Sequence, residues 1–262
     1  MSVSIFMFGL LIGSFLNVCI YRLPREGLSV HTPRRSFCPE CHTPIWAYDN
    51  IPVLSYFILR GRCRHCAAKI SIVYPLVELM TGGMFLLLFY RFGLTLDLLH
   101  GCLFVALLIP IAWIDARWYI IPNTIICVGL IVGVALAVLI SLTNSDLRYI
   151  VDGLMGAVAG GATTGGIAVT GSFLLRKKAM GGGDIKLMIL IGLFLGAWPH
   201  LLIVIMVSAF IGSIAGVFLI MRGKRSAQSP IPYGPFLVIG ALFDLLGSDA
   251  IWNGYLKLIG WQ

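Results

Sequence analysis

The chain has 262 residues, 59% hydrophobic and 11% charged, with a mean hydropathy of +0.96. A soluble domain carries roughly 25% charged residues, so the composition excludes an ordinary soluble fold and points to an all-α polytopic membrane protein. The formal net charge of +8 would suit nucleic acid, but the basic residues follow the positive-inside rule instead, and no nucleic-acid partner is expected.

Eight apolar spans follow in chain order, at 3–21, 72–90, 94–114, 124–142, 150–175, 185–198, 201–221 and 236–246. About eight transmembrane helices are therefore predicted. The sixth and eighth fall short of the roughly 20 residues a crossing needs, and are expected to be tilted, extended by their flanks or partly re-entrant. The first span has no basic segment before it and is followed by Arg22 and Arg25. It reads as a retained helix with its C-terminal end in the cytoplasm and the N-terminus outside, and not as a cleaved signal.

Alternating the other spans puts the basic residues from Arg22 to Lys69 on the cytoplasmic side, with Arg117, Arg176 to Lys178, Lys186, Arg222, Lys224 and Arg225. Arg91, Arg148 and Lys257 fall outside. The chain divides into a first transmembrane helix (1–21), a cytoplasmic insert (22–71) and a transmembrane helical core (72–262).

The insert holds two Cys-x-x-Cys knuckles, Cys38 with Cys41 and Cys63 with Cys66. Four thiolates can close a tetrahedral zinc site with no open position, so the metal's role is structural. A disulfide pair is the alternative, and a reducing cytosol disfavours it. So small an insert gains stability from a metal staple. His42 and His65 lie inside the knuckles and read as bystanders. Cys19, Cys102 and Cys127 lie in spans and read as small apolar residues.

Acids at membrane depth are costly and suggest function. Glu78 lies about two turns into the second span. Asp115 closes the third, in "WIDARWYIIPN", and Asp184 opens the sixth, in "MGGGDIKL". Each has a structural alternative: Asp184 as a helix cap, Asp115 as a boundary residue beside Arg117, Glu78 paired with a basic residue of the insert. Taken together, two carboxylates at one depth on different helices suit an aspartyl hydrolase, in which one takes a proton from water and the other polarises the scissile carbonyl. Opposite helix ends should set the pair apart, with Asp184 at a positive end and Asp115 at a negative one. The glycines before Asp184 are expected to let the backbone open toward a substrate strand. Glycine pairs at 156 and 160, 161 and 165, and 212 and 216 read as helix-packing seams.

These motifs resemble the bacterial type IV prepilin peptidase family. Gly181, Gly183 and Asp184 match its GxGD motif, and Asp115 stands in the place of its other catalytic aspartate. The segments "GSFLNVCIYRLP", "NIPVLSY", "ISIVYPLVE" ending in Glu78, and "IPYGPFLVIG" resemble family segments too, as does the cysteine pair. The first aspartate motif often ends Ile-Pro-Asp in the family. Here Asn123 occupies that position, so its role is hydrogen bonding or capping and not acid–base chemistry.

The resemblance implies a GxGD-type intramembrane aspartyl protease, multi-pass in the bacterial inner membrane, with its active site facing the cytoplasm. Asp115 and Asp184 would be catalytic, with Gly181, Gly183, Glu78 and Lys186 in support. Prepilins and type II secretion pseudopilins would be the substrates, cut after a short basic leader. Members with the cysteine insert also N-methylate the new amino terminus from S-adenosylmethionine. No glycine-rich methyltransferase fingerprint is present, so the sequence does not locate that cofactor. The "SPIPYGPF" segment is irregular backbone that either helps present the cleavage site or simply turns the chain. A peptidase without methylation, an ion-coupled transporter with a zinc-stapled loop, and a non-catalytic scaffold are the rival readings. The oligomeric state is left open.

Overall fold

The computed structural model describes residues 1–33, 35–176, 180–222 and 231–258, with the side chains of Leu175 and of 248–258 left aside. Arg34, Lys177, Lys178, Lys224 and Arg225 of the expected cytoplasmic set lie outside the described residues, as do Ser229 and Pro230 of the proline segment. The helices are α1 (Ser2–Arg22), α2 (Leu54–Ile58), α3 (Val73–Phe92), α4 (Leu96–Trp118), α5 (Asn123–Asn144), α6 (Arg148–Leu175), α7 (Gly182–Leu195), α8 (His200–Met221) and α9 (Gly234–Leu258). Among the described residues six helices, α1, α3, α4, α5, α6 and α8, are long and apolar enough to cross a membrane. The 14-residue α7 and the apolar part of α9, Gly234–Gly247, are shorter. They correspond to the two spans marked as short in the sequence. The protein is an all-helical membrane protein.

Two compact units divide the chain, Met1–Pro110 and Ile111–Gln262, with the boundary inside α4. In the first, α1 lies along α3. The approach is close because small residues line it. A Cβ on Gly9 would sit 2.7 Å from the Gly82 Cα, and one on Gly13 would sit 2.7 Å from the Glu78 Cα. In lipid such close backbone packing is a main source of helix association. Buried Asn17 donates from Nδ2 to the Tyr74 carbonyl at 3.0 Å, fixing α1 to the start of α3. Arg22, 3% exposed, donates to the carbonyls of Ser29, Val30, Pro33 and Arg35 at 2.7–3.2 Å. One guanidinium thus gathers the chain leaving α1, its charge met by carbonyl dipoles.

In the second unit α7 packs against α5, α6, α8 and α9. Leu187, Met188, Leu190 and Ile191 are fully buried. At 1.5 Å per residue its 14 residues span about 21 Å, less than the ~30 Å hydrocarbon core. A helix whose middle is wrapped in protein need not match that thickness, because its neighbours and not lipid cover it there. Glycines again set the approach. Gly156 meets the α7 backbone at Gly192, Gly160 meets the Met188 carbonyl, and Gly153 meets the Leu193 carbonyl. Gly156 and Gly160 thus line a seam within the chain as expected, while Gly165 faces open space. Gly212 and Gly216 receive Tyr233, Phe236 and Ile231 on the way into α9.

Candidate active site and metal centre

Asp115 lies in the last turn of α4 and is 6% exposed. Its Oδ2 accepts the Gly234 amide at 3.0 Å. Gly234 is the first residue of α9, so the carboxylate sits on a helix N-terminus, where unpaired amides and the helix dipole favour an anion. A Cβ on Gly234 would come 2.6 Å from that same oxygen. Only glycine leaves room for the contact.

Asp184 is half-buried in the first turn of α7. It is not the N-cap residue itself. Gly181 is the N-cap, and Asp184 stands three residues on, its Oδ2 accepting the Gly181 amide at 3.3 Å while its own amide donates to the Gly181 carbonyl at 3.2 Å. This is the acidic half of a capping box. Both carboxylates therefore meet the positive end of a helix, Asp184 that of its own and Asp115 that of α9. The asymmetry expected from the ends of α4 and α7 alone is offset by a contact that the sequence did not reveal. Asp115 is also close enough to Asp184 for their charges to interact.

The glycines also serve the packing here. Gly181 is extended, with φ −76° and ψ 146°, and Gly182 and Gly183 already belong to the first turn of α7. None of the three has a positive φ. Two of them supply room. A Cβ on Gly183 would crowd Ile121 at 3.2 Å, and one on Gly181 would lie 3.4 Å from Asp184 Oδ2, whereas Gly182 faces open space. The two matched glycines are the two that touch the site. Lys186, one turn further, donates from Nζ to Asn123 Oδ1 at 2.9 Å. Asn123 makes no capping bond, so of the two roles considered for it, hydrogen bonding is the one it fills. Ile121 and Asn123 thus hold the segment after Asp115 against the start of α7.

The four cysteines 38, 41, 63 and 66 form the second centre, in the first unit. Their sulfurs all lie within 4.8 Å of one another, and Cys38 and Cys66 are 3.8 Å apart. A tetrahedral site with Zn–S of about 2.3 Å has an S···S edge of about 3.8 Å, so the donor set fits zinc. All four are free thiols. The knuckles repeat one backbone. Cys38 N–H donates to the Thr43 carbonyl and Cys63 N–H to the Ala68 carbonyl, at 3.0 and 2.8 Å, and the residue after each second cysteine is left-handed, His42 at φ 55° and Ala67 at φ 57°. His42 is thus a turn residue of its knuckle.

The chemistry of the cluster also calls for a cation. Hydrogen bonds from Thr43, its side chain first, hold the Cys41 thiol down at about 6. The Ala68 amide lowers Cys66, but desolvation and the three neighbouring thiols outweigh it and push Cys66 up to about 12. Four thiolates this close need a positive centre to coexist.

Glu78 belongs to the first unit and takes no basic partner among the described residues. Its Oε2 accepts the Val53 amide at 2.7 Å, and Ser14 also bonds its carboxylate. It ties the insert to α1 and α3.

Two family models match the chain, the Bacterial Peptidase A24 N-terminal domain over residues 7–92 and the Type IV leader peptidase family over 102–217. A protein of Aeromonas salmonicida is 35% identical over 278 residues, covering 97% of this chain and 94% of its own length. One of Bacillus subtilis is 34% identical over 254 residues, covering 97% of both. The chain belongs to the type IV leader peptidase family. A Myxococcus xanthus member is 39% identical over 226 residues, with 86% of this chain matched to 65% of the relative's length. All three relatives are named prepilin leader peptidase/N-methyltransferase. No solved structure matches.

One contact of a candidate site residue was not singled out in the sequence, that of Gly234 with Asp115. Its signal was present, a glycine followed by Pro235 at the head of an apolar run. That pattern marks a helix start, but nothing in it names Asp115 as the partner, 119 residues away.

Proposed function

We propose that this protein is a prepilin peptidase that cuts the basic leader from type IV prepilins and type II secretion pseudopilins. The reading rests on one observation above others: Asp115 and Asp184 are brought into one unit, each accepting a helix N-terminal amide. In the reaction one carboxylate removes a proton from water, whose oxygen attacks the scissile carbonyl carbon. The other, protonated, donates its proton to the carbonyl oxygen. Collapse of the tetrahedral species breaks the C–N bond: the first group passes the proton taken from water to the leaving nitrogen, and the second takes back a hydroxyl proton as the C=O bond re-forms. The Gly234 and Gly181 amides orient the carboxylates while each gains and loses its proton. Gly181, Gly183 and Lys186 position Asp184, and Glu78 supports the insert.

The substrate's own apolar helix lies within the membrane beside these spans, and the leader junction meets the aspartates at the cytoplasmic edge. The extended stretch Ile231 to Tyr233 before α9 supports a role in presenting that junction. Basic residues on one side of the spans support the inner-membrane orientation with a cytoplasmic site. Zinc, bound by Cys38, Cys41, Cys63 and Cys66, braces the insert. The relatives' names support a second activity, N-methylation of the new amino terminus, with S-adenosylmethionine supplying the methyl group.

Incubating the purified protein with a prepilin and labelled S-adenosylmethionine tests both steps. Cleavage with methyl transfer is expected. Cleavage alone would restrict the protein to a peptidase, and neither activity, with a substrate that a relative processes, would overturn the reading.

A further inference from the structure

The outer face of α2 is exposed among the described residues. Leu54, Phe57 and Ile58 recur at i, i+3 and i+4, on one helical face, and are 52%, 67% and 62% exposed. Ser55 points the other way and is buried, its hydroxyl donating to the Tyr48 carbonyl at 3.2 Å and accepting the Ile51 amide at 2.9 Å. Trp46, Tyr48 and Ile51, on the approach to α2, are exposed as well. An apolar patch of this kind on a cytosolic domain marks an interaction surface.

Its depth identifies the partner. The Val53 amide, at the head of α2, donates to Glu78. Glu78 stands five residues beyond Val73, where the membrane span α3 begins, or about 7.5 Å along the helix axis. The head of α2 is thus held beside the first two turns of α3. Interfacial helices sit about 5–10 Å into the boundary between headgroups and acyl chains. Val53 holds this position at φ +62°, a conformation a β-branched residue adopts only when its surroundings impose it. Charge agrees. Residues 22–71 carry eight Lys+Arg against three Asp+Glu, so the insert stays positive even with a zinc tetrathiolate. Arg60 and Arg62 follow α2 directly and are exposed, placed for anionic headgroups. Trp and Tyr favour the same layer.

We propose that α2 is an interfacial anchor, with its Leu54–Phe57–Ile58 face inserted at the headgroup–acyl boundary of the bilayer that α1 and α3 cross. The zinc insert then lies in the headgroup layer and not free in the cytosol. This does not depend on the peptidase reading.

The test places the photo-crosslinking residue p-benzoylphenylalanine at Phe57 of the full-length protein, in nanodiscs of phosphatidylethanolamine and phosphatidylglycerol. Adducts are identified by mass spectrometry. The same residue at Phe15, exposed on α1, is the lipid-facing control, and at Glu40 the aqueous one. Lipid adducts at Phe57 should match those at Phe15 and exceed those at Glu40 about tenfold or more, the partition preference of one buried phenylalanine ring. Zinc content checks folding, and Ile58 serves as a second labelling position with the same expectation. Lipid labelling at Phe15 but not at Phe57 or Ile58 would overturn the proposal. So would adducts that map to this chain's own peptides or to an added prepilin.

Discussion

The amide of Gly234 donates to Oδ2 of Asp115 at 3.0 Å, across 119 residues of chain. The contact places a carboxylate on the N-terminus of α9 and requires a glycine there. Gly234→Ala would push a methyl group to 2.6 Å from the oxygen it now binds. We expect it to lower prepilin cleavage about a hundredfold, the scale of a 1 Å misplacement in an active site. Gly182→Ala, which meets nothing within 4 Å, should cleave as the parent does. Cleavage kinetics on the two variants check this.

The zinc cluster makes a pH prediction. Metal binding needs thiolates, and Cys66 is pushed up to about 12 without the metal, so zinc must displace its proton. Zinc binding to the metal-free protein should release protons at neutral pH. Zinc affinity should fall as the pH drops from about 8 to about 6, toward and below the point where Cys41 also protonates. Chelator competition across that range reads the effect. Cys38→Ser should lose the metal, and Cys127→Ser should keep it.

Glu78 and Val53 form a second test pair. Glu78→Gln retains an acceptor for the Val53 amide and should be mild. Glu78→Ala leaves that amide unmet and should destabilise the insert by about 1–3 kcal/mol. Val53→Gly removes a strained side chain at φ +62° and should stabilise the insert by about 1 kcal/mol or more. Thermal unfolding followed by zinc release separates the three.

Asn123 accepts from Lys186 in an exposed contact. Asn123→Asp would turn it into a surface ion pair, worth about 0.2–1 kcal/mol. A rise in Tm of no more than about 3 °C is expected in a thermal melt, with cleavage little changed.

Much of this was legible in the sequence, and the limits have physical causes. The spans, including the two short ones, follow from runs of apolar residues, because lipid permits few other solutions. The knuckles were legible because paired Cys-x-x-Cys spacing is what a tetrahedral metal site requires. Asp115 and Asp184 stood out because a charge at membrane depth is costly. Gly234 did not, because a backbone amide carries no residue type and its contact is long-range. The glycines before Asp184 suggested a hinge, since glycine's freedom is its best-known property. The space they leave for Ile121 and for the Asp184 carboxylate is a further role that the sequence pattern does not show. Glu78 looked like one half of an ion pair, but among the described residues its partners are a backbone amide and Ser14.

The central claim is that Asp115 and Asp184 act as one catalytic unit. Its most direct test is prepilin cleavage by Asp115→Asn, Asp184→Asn and the double variant, each checked for zinc content as evidence of folding. We predict that either single change abolishes cleavage and that the double variant is no worse, as for groups that act together. A folded, zinc-loaded single variant that cuts at near the parent rate would contradict the account.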